Sequence, residues 1–264
     1  MDLDRVSTCS YPMREHDAEH ALGVVAAAGF KKVDLWGRMP HFSADKSECD
    51  HDALAATAQK HGVKIANLGT YPGGTFSSES EEEREEGLKE MFLTIDVAAA
   101  IGARSIRVSP GKGEDGSIID GMVPYFKQSA DYAEQKGVYL GMENHKGSIA
   151  GFPELCLDLC KKVDSRFFGA LYEPCNLLHN KQDYKQALDL LKDYVTHMHL
   201  KDGRWDGDKF ERTMLGDGDI DVGWVVENLS AIGYEGDFAL EYEICDLVPI
   251  EEGLPKWLEY FKQF

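Results

Sequence analysis

Apolar positions recur along the chain in two alternating rhythms. Short runs rich in β-branched and aromatic residues, each ending in a polar residue, are separated by longer segments in which apolar residues return at helical spacing. The runs at 6–9, 32–36, 64–69, 105–109, 138–144, 168–172, 197–201 and 238–242 predict eight strands. The segments between them predict helices, and five end in the same way: Ala28-Gly29-Phe30, His61-Gly62-Val63, Ile101-Gly102-Ala103, Lys136-Gly137-Val138 and Ile232-Gly233-Tyr234 set a glycine where a helix closes in the left-handed conformation. Residues 81–101 show the pattern in full, with acidic residues in the first turn and an apolar stripe through Leu88, Met91, Phe92, Ile95 and Ala99. Strand and helix alternate without a second compositional zone, which predicts an α/β fold of the closed (β/α)8 kind, a TIM barrel in one domain over 1–264, in preference to an open doubly wound sheet.

Composition narrows the function classes. With 264 residues, 43% of them hydrophobic, the chain suffices for one such barrel and its core. No apolar stretch approaches the ~20 residues a membrane-spanning helix needs. Forty-seven acidic against 28 basic residues give a formal charge of −19, so nucleic acid and anionic lipid are unsuitable partners. The start, Met1-Asp2-Leu3-Asp4-Arg5, lacks the basic and apolar regions of a secretory signal, and a cytoplasmic placement is expected, although removal of a signal would leave the same start. Six cysteines without CxxC spacing read as reduced and mostly buried, Cys175 beside Glu173 being the one to watch.

Candidate chemistry collects where strands end. Gly141-Met142-Glu143-Asn144-His145, Leu171-Tyr172-Glu173-Pro174-Cys175-Asn176, His197-Met198-His199-Leu200-Lys201-Asp202 and Leu240-Glu241-Tyr242-Glu243 each carry metal-preferring side chains at that position. In a barrel these ends converge on one mouth, and three carboxylates with one imidazole make a site for a divalent cation. Singly, a Glu at a strand end is commonly solvated and a strand His commonly hydrogen-bonded. As a set they mean more: Glu143 and Glu241 follow apolar runs, where an uncompensated charge is costly and a cation removes the cost. His197 and His199 share a face; His199, nearer the strand end, is the expected ligand and His197 a deeper packed residue. Oxygen-rich ligation with one nitrogen suits Mn²⁺ first, with Mg²⁺, Co²⁺ or Zn²⁺ as substitutes.

The Glu143-Asn144-His145 triplet, the His197-x-His199-x-Lys201-Asp202 strand, the Leu215–Asp221 loop and Leu240-Glu241-Tyr242 resemble the sugar phosphate isomerase/epimerase family of xylose-isomerase-like barrels over essentially the whole chain. The resemblance implies Glu143, Glu173, His199 and Glu241 as metal ligands. The family usually has Asp where this chain has Glu173, so that residue either coordinates from a displaced position or leaves three protein groups and water on the ion.

Such a site would chelate a carbonyl and the adjacent hydroxyl of a small ketose, keto-sugar or cyclitol and stabilise an enediolate, with Glu143 and Glu241 as the proton-transferring, catalytic pair. Isomerisation or epimerisation is the leading expectation. A lyase or dehydratase acting on a keto-sugar, keto-glycoside or inosose is the alternative, with an abasic-site endonuclease-like enzyme and a non-catalytic sugar-binding barrel behind it. His145, Asn176, Lys201, Arg107 and Trp36 are expected at the substrate, Trp36 also fitting simple rim packing, and Asp202 as a residue that orients a neighbour. Arg204, Lys209 and Arg212 are read as part of a loop that could meet an anion. The chain is also expected to pair with itself, although no stretch marks an interface. Two motifs are set aside: Gly111–Gly116 fits G-x-G-x-x-G but carries two acids that would repel a pyrophosphate, and Asp217–Asp221 lacks the glycine of a calcium loop and reads better as a turn into a helix capped by Asp221.

Overall fold

Eight parallel strands close on themselves in this protein, a computed structural model describing residues 3–264. They are β1 (Val6–Cys9), β2 (Lys32–Trp36), β3 (Lys64–Gly69), β4 (Ser105–Val108), β5 (Tyr139–Glu143), β6 (Phe168–Tyr172), β7 (Val195–Leu200) and, after an inserted antiparallel pair β8 (Asp202–Asp206) and β9 (Lys209–Thr213), the closing strand β10 (Phe238–Leu240). β10 pairs with β7 on one side and β1 on the other, which seals the barrel. Met1 and Asp2, part of the segment read for a targeting signal, lie outside the described residues.

Helices α1 (Ala18–Ala27), α2 (His51–Lys60), α3 (Glu81–Ile101), α4 (Ile119–Lys136), α5 (Pro153–Val163), α6 (Pro174–His179), α7 (Tyr184–Leu191), α8 (Val222–Ala231) and α9 (Ile250–Phe261) occupy the connections. Their starts follow from the sequence: Ser80 accepts a hydrogen bond from Glu83 N at α3, and Asp221 accepts one from Trp224 N at α8. The five glycines all adopt positive φ; Gly102, at φ 79°, stops α3 in a conformation a side chain would disfavour. Leu88, Met91 and Ile95 of α3 are buried as the stripe requires. Aromatic residues fill the space between strands and helices, with Phe126 of α4 4.8 Å from Phe168 and Phe261 of α9 5.7 Å from Phe238 (ring centroids).

Alternation along the strands turns the remaining residues inward. Asp34 sits between buried Val33 and Leu35 and reaches across the barrel to His197 and His199. On β7 this periodicity continues through Lys201, just past the strand, so three polar residues climb one inner wall toward the mouth. Two expectations are corrected. Strands four, five, seven and eight end one or two residues earlier than their runs suggest, although Glu241 N still bonds Leu200 O at 2.9 Å. The segment read as a loop with Arg204, Lys209 and Arg212 is the β8–β9 hairpin, turning at Gly207-Asp208 with Gly207 at φ 58°.

Candidate active site

Glu143 ends β5, His199 is the penultimate residue of β7 and Glu241 follows β10, so the fold brings them to one end of the barrel. One donor atom from each lies within 4.8 Å of the other two, and all three residues are buried. His199 Nδ1 is 3.7 Å from Glu143 Oε1 and 3.6 Å from Glu241 Oε1. That nitrogen is buried and has no hydrogen-bond partner among the described residues. The other ring nitrogen, Nε2, lies 3.2 Å from Asp34 Oδ2, and the same oxygen is 2.5 Å from His197 Nε2. Ser7 Oγ donates to the second Asp34 oxygen at 2.7 Å. A carboxylate behind a histidine fixes the ring and leaves the far nitrogen available to a ligand. An orphaned imidazole nitrogen between two carboxylates is a donor set that fits a divalent cation.

Cations of the chain itself also meet these acids. Arg107 Nη1 is 2.6 Å from Glu143 Oε2, its guanidinium stacked over Tyr71 at 4.6 Å. Lys201 Nζ bonds Glu241 Oε2 at 2.6 Å and Glu243 Oε2 at 2.9 Å, and lies 3.7 Å from Glu173 Oε2. Burial works against ionisation of both acids, yet Arg107, with His199, holds the Glu143 carboxyl well below the usual range, and Lys201, with His199, brings Glu241 down to about 2. The reciprocal effect keeps Lys201 well above the usual lysine value against the pull of burial, chiefly through Glu241 and Glu173. His199 is likewise raised, burial being overcome by Cys9, Glu241 and Asp34.

Glu173 stands apart from the three. It is fully buried as the N-cap of α6, its carboxylate accepting from Cys175 N at 2.9 Å and Asn176 N at 2.5 Å. Asn144 clasps its backbone, donating to Glu173 O and accepting from Glu173 N, each at 2.7 Å. Burial, reinforced by Glu241 and Glu143 and opposed by Lys201, pushes its carboxyl up to about 8.

The residues expected at the substrate are brought around the same opening. Asn176 Nδ2 donates to Glu143 Oε1 at 3.3 Å; His145 is exposed at the rim, with Nδ1 3.0 Å from Lys146 O. Trp36 stands edge-on to Tyr11, ring centroids 5.9 Å apart. Together with Arg107 and Lys201, His145 and Trp36 border a cavity of about 160 Å³ over the three-group cluster. A larger groove of about 890 Å³ runs beside α3, but its lining holds no imidazole or thiol, and its acids are Asp45 and Glu48 of the segment before α2 with Glu83, Glu86 and Glu90 of α3, so the smaller cavity is the chemically equipped one. Asp202 orients backbone: its carboxylate accepts from Gly203, Gly216, Gly218 and Ile220 N–H groups at 2.8–3.1 Å and ties down the 215–221 loop. The Gly111–Gly116 loop is bonded to its neighbour, Gly113 N to Gly147 O at 3.0 Å and Gly147 N to Glu114 Oε1 at 3.0 Å.

Sequence reasoning missed Asp34, Cys9, Tyr71 and Glu243. For Asp34 a signal exists, an acid inside the apolar run Val33-Asp34-Leu35-Trp36, where only a buried partner makes the charge tolerable.

Comparison with known proteins places this geometry in context. The family model described as xylose isomerase-like TIM barrel matches residues 22–264. An uncharacterised protein of Methanocaldococcus jannaschii is 28% identical over 148 residues, 54% of this chain and 50% of that protein, so this match spans only half of its length. Inosose dehydratase of Geobacillus thermodenitrificans is 25% identical, with 85% of this chain and 82% of the relative covered. Fructoselysine 3-epimerase of Shigella flexneri is 23% identical, covering 90% and 88%. Among solved structures, a xylose isomerase-like TIM barrel protein from Mycobacterium smegmatis in complex with magnesium superposes with a TM-score of 0.79 at 18% identity, over 93% of this chain and 87% of that one.

Proposed function

The chain belongs to the xylose isomerase-like TIM barrel family, and from that premise we propose that it is a divalent-metal-dependent isomerase or epimerase of a small ketose, keto-sugar or cyclitol. The observation that carries the reading is the pair of buried carboxylates, Glu143 and Glu241, held 3.7 and 3.6 Å from one unpartnered imidazole nitrogen beneath a cavity of small-molecule size. Glu143, His199 and Glu241 would hold the ion, Mn²⁺ first and Mg²⁺, Co²⁺ or Zn²⁺ as substitutes; Glu173 would join them by giving up its place on α6. When bound, the ion supplies Lewis-acid polarisation of a substrate carbonyl and makes the adjacent carbon-bound proton acidic.

The chain's own groups do the rest. β6 and β7 lie between β5, which ends in Glu143, and β10, which leads into Glu241, so the two carboxylates address a bound ring from different sides. Both are ionised at neutral pH and able to accept a proton. Removal of the carbon-bound proton by one carboxylate, with a proton returned to the opposite face by the other after it has taken one from solvent, inverts a carbon; removal and return by one carboxylate between adjacent carbons interconverts aldose and ketose. Lys201, Arg107, Asn176 and His145 offer donors to sugar oxygens, and Trp36 gives the ring an apolar wall. At about 160 Å³ the cavity is below the range of roughly 300–1,000 Å³ usual for drug-sized ligands, which supports a monosaccharide-sized substrate. Net charge −19 argues against nucleic acid. Six free thiols accord with a reducing compartment and support a cytoplasmic placement; among the described residues no helix is long and apolar enough to cross a membrane.

Metal-loaded protein in deuterated water should exchange a carbon-bound hydrogen of one member of a ketose and cyclitol panel. Absence of exchange throughout that panel, with metal bound, would overturn the reading. The 25% identity to an inosose dehydratase over most of both chains supports a second outcome, loss of water after the same proton abstraction. A product lighter by one water would decide for the dehydratase.

A further inference from the structure

Beneath the three-group cluster lies a second donor set that the proposed proton transfer leaves unused. Cys9 on β1, Asp34 on β2 and His199 on β7 bring a thiol sulfur, a carboxylate oxygen and an imidazole nitrogen within 4.8 Å of one another, all buried. All three residues border the cavity, so an ion entering from the mouth can reach them. Cys9 Sγ is 3.8 Å from His199 Nε2, and that nitrogen is 3.2 Å from Asp34 Oδ2. A tetrahedral ion with metal–sulfur bonds of about 2.3 Å and metal–nitrogen or metal–oxygen bonds of about 2.0–2.1 Å spaces its donors roughly 3.3–3.6 Å apart. The two separations to His199 Nε2, 3.8 and 3.2 Å, are within a few tenths of an ångström of that polyhedron, and Cys9 Sγ and the Asp34 oxygen lie within 4.8 Å of each other. His197 Nε2, 2.5 Å from Asp34 Oδ2, pins the carboxylate in place.

The two donor sets differ in chemistry and meet in one residue. Glu143, Glu241 and an imidazole suit a hard ion; a thiol beside an imidazole and a carboxylate selects a softer one. His199 serves the first set through Nδ1 and the second through Nε2. A neutral imidazole has one nitrogen free to coordinate, the other carrying the proton. One ring therefore serves one ion at a time.

We propose that Cys9, Asp34 and His199 form a separate site for a thiophilic divalent ion such as Zn²⁺ or Cd²⁺, and that its occupation excludes a hard ion from Glu143, His199 and Glu241. The exclusion rests on the metal reading of the upper site; the thiolate site stands on its own donors. As the sulfur–metal bond forms, the Cys9 proton passes to solvent and nothing is oxidised or reduced.

The test uses chelator-stripped full-length protein titrated with Cd²⁺, read by the ultraviolet thiolate-to-cadmium charge-transfer band, and with Mn²⁺, read by loss of the free-ion paramagnetic resonance signal. Wild type should develop the band at one equivalent of Cd²⁺ while releasing one bound Mn²⁺. Cys9→Ser should lose that band, keep its Mn²⁺ affinity and require about tenfold or more Cd²⁺ to displace Mn²⁺. A band of equal strength in Cys9→Ser, or one equivalent each of Cd²⁺ and Mn²⁺ bound together, would overturn the proposal. Should the variant misfold, cadmium NMR of the wild type decides: a resonance position without thiolate ligation overturns it as well. Wild type that forms the Cys9 band but never binds Mn²⁺ would remove the upper site and the exclusion, and leave the thiolate site standing.

Discussion

A carboxylate taken out of water needs a positive neighbour, and in the barrel mouth Glu143 has Arg107 and Glu241 has Lys201, each at 2.6 Å. These contacts keep both acids ionised, the form in which they can take a proton. Glu143→Gln and Glu241→Gln should each lower turnover by roughly 10²–10⁴-fold, measured as substrate proton exchange, while the far-ultraviolet dichroism stays unchanged; a variant that exchanges at near the wild-type rate has no part in the transfer. Asp34→Asn should weaken Mn²⁺ binding by about 10–100-fold, because His199 loses the carboxylate that orients it, and calorimetric titration would show this. Glu173 carries the opposite sign. Its carboxyl rises from the usual 4.5 to about 8 in the folded state, so folding retains its proton. The stability this contributes is complete below about pH 4.5 and fades as pH climbs toward 8. Metal-free wild type should therefore melt at progressively lower temperature from pH 5 to 8, and Glu173→Gln, which cannot ionise, should flatten that slope; an equally steep slope in the variant would exclude Glu173 as its source. Glu143, His199 and Glu241 were legible as candidates because each lies at the end of a strand-like run, a local signal. The sequence hid the placement of Asp34, whose partners His197 and His199 lie more than 160 residues away and become neighbours only when the barrel closes.

At the scale of elements, the β8–β9 hairpin and the 215–221 loop are what this chain adds between its seventh and eighth barrel strands. They meet at Asp202. Four backbone N–H groups point at its carboxylate, and a Cβ on Gly218 would lie 2.1 Å from Asp202 Oδ1, so glycine there is required by the approach itself. Asp202→Ala leaves those donors without their acceptor and should lower stability by about 3 kcal/mol in urea unfolding, a loss within ±0.5 kcal/mol of zero showing that water replaces the carboxylate. The hairpin also carries Arg212 to the rim, where its guanidinium pairs with Glu243 at 2.7 Å. The barrel itself was readable in advance, since apolar period and helix-ending glycines are written locally and repeat down the chain. The hairpin was not, because its strands are rich in charge and carry just two apolar side chains, the half-buried Trp205 and Phe210, so no buried face imposes an apolar alternation. Only the short Gly207-Asp208 turn marked it. Strand ends shifted for a related reason: the ladder stops where the neighbouring strand stops, a property of the pair that a single run of residues does not contain.

Across the whole molecule, the three donors at the mouth come from β5, β7 and the segment after β10, two of them on either side of the β7–β10 pairing that helps close the barrel. An ion held by Glu143, His199 and Glu241 would bind the folded chain and not the unfolded one, because the donors are 42 to 98 residues apart in sequence and converge only through the closed sheet. Linkage then turns local chemistry into global stability: at a free concentration a hundredfold above its Kd, one bound ion adds about 2.7 kcal/mol. For a domain of this size each kcal/mol moves the midpoint by about 2–4 °C, so saturating Mn²⁺ should raise Tm by roughly 5–10 °C in scanning calorimetry. The same addition should leave Glu241→Gln almost unmoved. A comparable rise in that variant would trace the stabilisation to general screening of the chain's −19 charge, since such screening acts on the whole acidic surface and is indifferent to one carboxylate in the barrel mouth.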